Sequence, residues 1–383
     1  MFLQAKNRRN LKAYQKIIVF KEPAIEKGDL SPLYKKFLWK HGAFQVKPLP
    51  LINGAFCFFE QSVSFQTLAQ RDEIISLESD LKVKLHPVFK RSKSLIFDQY
   101  QHQVIPWGIT RIGADKAWSV SRGEGVKIGF LDTGIEISHQ DLKDNCKGGV
   151  NLLSFPNLPF DDNGHGTHVA GIIAAVDNNF GVLGASPRVY LYAVKVLNYS
   201  GEGYFSDVIS GLEWCVQNDI AIINLSFGSD QPSPALHTAI KKVVAAGKII
   251  VAAAGNDGTY HSVDYPAAYP EVIAVGAVDE FDQVTPFTSR GTELNLVSPG
   301  VNILSTARKG FYKRMSGTSM AAAHVTGAAA ILKRLFPADG YEEILKALQT
   351  TAEKLPGRSS DEQGAGLVRV DKIVSMNTRS IPA

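Results

Sequence analysis

Short blocks of alternating and helically spaced apolar residues fill the first hundred positions. Strand patterns occur at 16–20, 55–60 and 81–85, and apolar residues at helical spacing occur at 33–41 and 68–77. This order predicts a small α+β unit of β-α-β-α-β, ferredoxin-like character. His41, His86 and His102 are isolated in this region, so we expect them to be solvent-exposed and without catalytic partners.

A polar segment without periodicity, 91–102, separates this unit from the rest of the chain. We interpret it as a linker and divide the chain into a domain of residues 1–101 and a domain of residues 102–383. In the second part, apolar strand patterns at 125–134 and 249–254 end in small polar residues. A carboxylate such as Asp132 at the end of a buried parallel strand lies where α/β sheets place their chemistry, although a turn aspartate is the alternative.

Charge is distributed unequally between the two parts. Residues 1–101 hold 17 Lys and Arg against 9 Asp and Glu, whereas the remainder holds 24 against 28. The opposite signs predict two bodies that attract each other. Nucleic acid is not an expected partner, because the basic charges are dispersed and mixed with acids.

Composition excludes other classes of protein. With 45% hydrophobic residues, the 383-residue chain can form a full core, and no apolar run reaches the length of a membrane span. The first residues lack the apolar core of a signal peptide, so the chain is either not an exported precursor or has lost its signal. Cys57, Cys146 and Cys215 form neither a disulfide framework nor a metal-ligand pattern, so we expect buried, apolar roles.

Two segments carry candidate chemistry. His165 and His168 lie three residues apart where glycines give way to a helical run, and Ser319 precedes a long run of helix formers at 320–335. The histidines could be metal ligands, but general-base work suits a histidine of ordinary pKa near 6.5 better. Ser319 could simply be a helix N-cap.

Three motifs together resemble the signatures of subtilisin-type serine proteases. They are 131–134 (LDTG), 164–171 (GHGTHVAG) and 317–321 (GTSMA), in that family's order of Asp, His and Ser. The resemblance covers about residues 103–370. The first hundred residues resemble the family's inhibitory propeptide in layout.

The resemblance implies a three-layer α/β/α sandwich with a mostly parallel sheet, and a serine endopeptidase that hydrolyses peptide bonds through an acyl-enzyme. Ser319 would be the nucleophile, His165 the general base and then acid, and Asp132 the residue that orients the imidazole. Asn256, which follows the strand pattern at 249–254, would donate to the oxyanion.

The resemblance also implies a substrate groove. Ser226, Phe227 and Gly228 would pair with an extended peptide, and residues 201–204 would form the opposite wall. Asp257 would lie at the rim of the specificity pocket and Asp264 near its floor. A carboxylate there would favour Lys or Arg before the scissile bond; alternatively, Asp264 caps a turn or ligates an ion.

Calcium is the implied cofactor, because 176–182 (VDNNFGV) resembles the family's calcium loop. All the side-chain positions carried over from that loop hold oxygen donors, which calcium prefers. The implied ligands are Gln103, Asp141, Val176, Asn178, Phe180 and Val182.

The resemblance further implies a monomeric zymogen that acts on peptide and protein substrates. The tail of residues 1–101 would pass through the active site as an intramolecular inhibitor. Self-cleavage near Tyr100, Gln101 or His102 would free a new N-terminus, which would let Gln103 complete the calcium site. We expect a secreted enzyme, with a cytoplasmic one as the alternative.

One position departs from the family pattern: Ala323 stands where the family normally carries proline. This raises a peptide ligase as an alternative, while unimpaired hydrolysis remains the main expectation. A catalytically silent binding module is a second alternative, which the intact Asp132, His165, Ser319 and Asn256 argue against.

Overall fold

The structure is a computed structural model that describes residues 14–60, 63–87, 89–90, 102–154 and 157–377. Its N-terminal part is a four-stranded antiparallel sheet in the order β4-β5-β1-β6. Two helices and a short hairpin (β2, β3) connect these strands. In chain order the elements are β1 Tyr14–Phe20, β2 Ile25–Glu26, β3 Asp29–Leu30, α1 Pro32–Lys40, β4 Ala43–Leu49, β5 Gly54–Phe59, α2 Phe65–Ala69 and β6 Ile74–Ser79. Apart from the hairpin, this is the β-α-β-β-α-β order of ferredoxin-like units.

Two predictions for this unit were wrong. The helix predicted at 68–77 ends at Ala69, and the chain turns before strand β6, where the Ile74 amide bonds the Arg71 carbonyl at 3.0 Å. Ile74 and Ile75 are β-branched and favour a strand once β1 offers a pairing edge. Strand β4 was missed because Pro48 and the polar residues beside it obscure its pattern.

The second part contains a sheet of seven strands, and all of its neighbouring strands are parallel. Parallel strands buried on both faces appear as the continuous apolar runs seen in the sequence. In spatial order the strands are β10 Cys146–Asn151, β11 Tyr190–Lys195, β9 Lys127–Asp132, β13 Ile222–Leu225, β14 Ile249–Ala253, β15 Ile273–Val278 and β16 Leu296–Pro299.

Helices cover both faces of this sheet, which gives the three-layer α/β/α sandwich that the resemblance implied. Helices α5 His165–Ala174 and α8 Thr318–Leu335 pack on one face, and α6 Phe205–Gln217 and α7 Pro234–Ala245 pack on the other. The remaining elements are β7 Lys82–Lys84, β8 Phe89–Lys90, α3 Trp107–Arg111, α4 Ala114–Ala117, β12 Glu202–Tyr204, β17 Ile303–Ala307, β18 Phe311–Ser316, α9 Tyr341–Thr351, α10 Ser360–Gln363 and α11 Val370–Asn377.

Alternation along the strands divides the core into two clusters. In β14, Ile249 and Val251 join the cluster under α5 and α8, whereas Ile250 and Ala252 join the cluster under α6 and α7. Successive side chains of a strand point to opposite faces, so one strand supplies both layers. No helix in the described part of the chain is both long and apolar enough to cross a membrane.

The N-terminal sheet packs on the outer side of α6 and α7. Phe56 and Phe58 of β5 lie in the same apolar cluster as Val208 of α6 and Ile240 of α7. Burial of these side chains from water is the non-directional part of the contact between the N-terminal sheet and the two helices.

Two carboxylates of the N-terminal part bind the first turns of these helices. Asp80 accepts hydrogen bonds from the amide and hydroxyl of Ser206, at 2.9 and 2.7 Å. Glu78 accepts from the Ser233 hydroxyl and from the Ala235 amide, the latter at 3.2 Å. The first amides of a helix have no hydrogen-bond partners within the helix, and they carry the positive end of its dipole. The two carboxylates accept hydrogen bonds from these amides and place negative charge beside the positive end.

Removal of the Asp80 carboxylate tests this contact. In a Ser319→Ala background, which removes the expected nucleophile, we expect Asp80→Ala to lower the free energy of unfolding by about 1–2 kcal/mol, because the amide of α6 loses its cap. The urea midpoint, followed by tryptophan fluorescence, measures the change. Asp72→Ala removes an exposed carboxylate of the same part and serves as the control; equal midpoints for the two variants would contradict the assignment.

Candidate active site

Six polar residues meet at the edge of the parallel sheet where its strands end. Asp132 is the last residue of β9, Ser226 follows β13, and Asn256 follows β14 by three positions. Helices α5 and α8 begin at this same edge with His165 and with Thr318-Ser319. The carboxyl ends of parallel strands lie together, so sequence-distant residues converge here.

Asp132 and His165 form a buried pair. The imidazole Nδ1 lies 2.8 and 3.0 Å from the two carboxylate oxygens, and both residues are almost completely buried. Thr133 ties the end of β9 to the start of α5, because its hydroxyl accepts from the Gly166 amide at 3.0 Å and donates to Asp161 at 2.8 Å. A carboxylate at Nδ1 places the proton on that nitrogen and leaves Nε2 as the basic one.

Ser319 is the second residue of α8, and its side chain is fully buried. Its hydroxyl donates to the Ser226 carbonyl at 3.2 Å. The expected hydrogen bond between this hydroxyl and His165 is not formed, and among the residues that the structure describes the Nε2 of His165 has no hydrogen-bond partner. The hydroxyl has turned to the neighbouring strand end, which offers a carbonyl acceptor.

Asn256 is held beside Ser319 by the first turn of α8. Its Oδ1 accepts from the amide and hydroxyl of Thr318, at 3.0 and 2.8 Å. This fixes the orientation of the amide group, and Nδ2 then donates to the carbonyl of Pro87 at 2.8 Å. The amide therefore presents a donor to a peptide carbonyl, as an oxyanion hole requires.

Residues 82–87 and 89–90 lie across the site, and they include strands β7 and β8. Strand β7 pairs antiparallel with β12, Lys84 exchanges two hydrogen bonds with Gly228 (3.0 and 2.9 Å), and β8 pairs with β18. Residues 201–204 thus form the wall predicted for them, since the amide of Leu85 also bonds the Gly201 carbonyl at 2.8 Å. The segment that lies in the groove comes earlier in the sequence than the predicted stretch near residues 100–102. Residues 91–101 lie outside the described residues.

The side chain of His86 fills a pocket next to this segment. It is 5% exposed, and its Nε2 lies 3.0 Å from Oδ2 of Asp264. The expectation of a solvent-exposed His86 was therefore wrong. The strand pattern at 81–85 is present, but it pairs across the groove instead of completing the N-terminal sheet, which carries the next residues into the pocket.

Two other residues predicted for the groove, Asp257 and Phe227, lie in surroundings that differ from each other. Asp257 lies next to Asn256, and burial, with the nearby Asp264 carboxylate as a second cause, raises its pKa above the ordinary range. The side chain of Phe227 is fully buried in the core under α6 and α7. Only its backbone is therefore available to the groove.

His168 has a structural role. Its Nε2 lies 3.1 and 3.0 Å from the carbonyls of Ile303 and Lys313, and burial lowers its pKa to about 3. Within the described ranges, no group of three His, Cys, Asp or Glu side chains is placed to hold a metal ion. The alternative of a metal site at His165 and His168 receives no support.

The residues predicted to bind calcium do lie together. Gln103 Nε2 is 2.7 Å from the Val176 carbonyl, 3.3 Å from the Val182 carbonyl and 3.4 Å from Asn178 Oδ1. Asp141 contacts Asn178 at 3.1 Å and accepts from the Val182 amide at 2.9 Å. Gln103 already reaches the loop in the uncut chain, so its approach to the loop does not depend on a new N-terminus.

Several residues at these sites escaped the sequence analysis. Tyr312 donates its hydroxyl to Asp141 at 2.9 Å, and no local pattern marked it. A cavity of about 480 Å³ adjoins His165, with Arg308 and Lys313 in its lining.

Cys57 and Cys215 are free and fully buried, as expected, and burial raises the pKa of both thiols. Ala323 is fully buried within α8, which continues through it to Leu335.

Comparison with known proteins agrees with this geometry. The model of the subtilase family matches residues 123–366. Subtilisin DY of Bacillus licheniformis is 45% identical over 273 residues, 70% of this chain and 98% of its own length. Subtilisin E of Bacillus subtilis (strain 168) is 38% identical over 338 residues, 82% of this chain and 88% of its own. Subtilisin Savinase of Lederbergia lenta is 44% identical over 270 residues, 70% of this chain and 98% of its own.

The matched region contains the seven-stranded parallel sheet and helices α5 and α8. It also contains Asp132, His165, Asn256 and Ser319. The family model covers more than half of the chain, and these relatives are well above 30% identity. The chain belongs to the subtilase family and is a serine endopeptidase.

Proposed function

We propose that Ser319, His165 and Asp132 carry out peptide hydrolysis, with Asn256 as the oxyanion donor. The observation that supports this most is the buried Asp132–His165 pair beside the first turn of α8. Nε2 of His165 takes the hydroxyl proton as the Ser319 oxygen attacks the carbonyl carbon. The same proton then goes to the leaving amine, and a water repeats the sequence on the acyl-enzyme.

Charge on the carbonyl oxygen develops during the attack. Asn256 Nδ2 already donates to a peptide carbonyl in this position, and its orientation is fixed by Thr318. A donor that is held in place needs no reorganisation as the negative charge grows. For hydrolysis, the Ser319 hydroxyl must turn from the Ser226 carbonyl toward Nε2 of His165.

We also propose that residues 1–101 form an inhibitory domain whose tail blocks the groove. The side chain in the pocket belongs to His86, whereas the carbonyl on Asn256 belongs to Pro87. In a substrate that is bound for cleavage, a single residue supplies both the side chain in the pocket and the carbonyl that Asn256 contacts. The tail is thus one residue out of register for cleavage, and the proline, which lacks an amide hydrogen and has a fixed φ, favours that offset.

Ion pairs support an inhibitory contact between the two parts. Lys82 lies 3.2 Å from Glu202 on the groove wall, and Lys47 lies 3.7 Å from Asp207. Self-processing near Tyr100–His102, a monomeric state and secretion remain our proposals for the maturation and setting of the enzyme.

Calcium fits the loop that Gln103 joins. The donor set consists of oxygens: side chains of Gln103, Asp141 and Asn178, and carbonyls of Val176, Phe180 and Val182. The Gln103 amide already faces three of these oxygens, and turning it about its last bond would present its own oxygen instead. Bound calcium would supply a positive charge that links the chain near residue 103 to the loop.

The oxyanion role of Asn256 predicts a kinetic effect. We expect Asn256→Ala to lower kcat roughly 100- to 1000-fold, with a much smaller change in KM, because the donor acts mainly on developing charge. Peptide anilide hydrolysis, normalised to sites labelled by a fluorophosphonate, measures both constants. Asn218→Ala, an exposed change at the opposite edge of the sheet, is the control. A variant within fivefold of this control would exclude the role.

The register of the tail predicts that Pro87 protects it. We expect Pro87→Ala to speed self-cleavage after residue 86 by about tenfold or more, because the chain regains the freedom to bring the His86 carbonyl onto Asn256. Intact-mass spectra over time give the rate and the cut site. Pro23→Ala, an exposed proline of the same domain, is the matched control. If both variants remain intact for as long as the parent, the offset does not protect the tail.

The calcium proposal predicts a metal-dependent stability. In the Ser319→Ala chain, we expect a chelator to lower Tm by about 5 °C or more and added calcium to restore it, since the ion binds only the folded loop. Asp141→Asn should abolish this dependence, and Asp144→Asn, an exposed neighbour, should retain it. An unchanged Tm after chelation would refute a structural calcium ion.

A further inference from the structure

We infer that the pocket closed by Asp264 selects a positively charged side chain, so that the enzyme cleaves after Lys or Arg. This inference rests on the proposed role of Ser319 and adds the class of substrate. His86 of the chain's own tail shows what the pocket accepts, because its ring nitrogen lies 3.0 Å from the Asp264 carboxylate.

Two glycines give the pocket its room. A Cβ atom at Gly228 would lie 2.4 Å from Nε2 of His86 and 2.6 Å from Cβ of Asp264. A Cβ atom at Gly255 would lie 3.0 Å from the Asp264 carboxylate, and the φ of +117° there also disfavours a side chain. At these two positions the pocket walls therefore consist of backbone atoms. The carboxylate of Asp264 is the polar group at the closed end of the pocket.

The Asp264 carboxylate is directed at the pocket occupant. Its backbone is fixed separately, because its amide donates to the Ala254 carbonyl and its carbonyl accepts from Ala268, both at 2.9 Å. Within the described residues, the hydrogen bond recorded for its carboxylate is the one to His86. This favours a substrate contact over the turn cap or ion ligand that the sequence left open.

The pocket is negative beyond Asp264 itself. Asp257 lies close enough that the Asp264 carboxylate contributes to its raised pKa, as does Asp230 more weakly. The imidazole of His86 acts on the pKa of Asp257 in the opposite direction and lowers it. The Asp264 side chain is only 13% exposed with the tail in place.

Burial decides what binds best here. An apolar side chain in the pocket would cover the Asp264 carboxylate without giving it a partner, and a buried charge without a partner is costly. A lysine or arginine would supply the countercharge and the hydrogen bonds. The same reasoning disfavours acidic side chains, which would add a further negative charge beside two carboxylates.

Matched peptide anilides that differ only in the residue before the scissile bond test the inference. The full-length protein is incubated until fluorophosphonate labelling reaches a plateau, and kcat/KM per labelled site is measured for Arg, Lys, Phe and Leu. We expect Arg or Lys to exceed Phe at least tenfold. We expect Asp264→Asn to lower the ratio of Arg to Phe roughly 10- to 100-fold, as loss of one partner of a buried charge pair does.

Two further variants separate specificity from damage to the fold. Asp264→Glu keeps the charge and should retain the preference for Arg or Lys. Asp219→Asn makes the same chemical change at an exposed turn on the opposite edge of the sheet and should leave the ratio unchanged. A general structural defect would lower both rates and would not change their ratio.

The outcomes distinguish this inference from the proposed function. If the enzyme is labelled and prefers Phe or Leu, or if Asp264→Asn leaves the ratio unchanged, the cation pocket is wrong and the function of Ser319 stands. If Ser319 is neither labelled nor active on any of the four substrates, the proposed function fails, and the inference fails with it.

Discussion

The architecture of the site depends on one constraint: parallel strands buried on both faces end at a common edge. Asp132 ends β9, Asn256 follows β14, and two helices that pack on the same face begin there with His165 and Ser319. The small residues of α8, buried from Thr318 to Leu332, let this helix lie close to the sheet. Loss of that packing would separate the catalytic groups without changing any of them.

The N-terminal part contacts the helices on the other face of this sheet, α6 and α7. Its carboxylates at residues 78 and 80 bind the first turns of α7 and α6, and the chain then continues directly into the groove as β7. Because these contacts precede the tail by only a few residues, they set where the tail enters. In the inhibitory contact that we propose, the helix ends and the apolar contact supply the affinity, and His86 and Pro87 set the blocked register.

The sequence was sufficient for the large sheet and for placing Asp132, His165 and Ser319 at strand and helix ends, because each motif follows a strong apolar strand pattern or opens a helix. It was insufficient for the N-terminal unit, where Pro48 obscured β4 and a turn at 71–73 replaced a predicted helix. The contact of His86 with Asp264 could not be foreseen, since it depends on pairing between Lys84 and Gly228 that no local pattern encodes. The turned Ser319 hydroxyl is likewise a property of the assembled site.

A structure of the full-length protein after reaction with a fluorophosphonate tests the central claim most directly. The account predicts phosphorus bonded to the Ser319 oxygen, His165 Nε2 within about 3 Å of a reacting oxygen, and Asn256 Nδ2 donating to the phosphoryl oxygen, with Asp132 still paired to the imidazole. Phosphorus on a different residue, or an imidazole beyond hydrogen-bonding reach of the labelled serine, would contradict it.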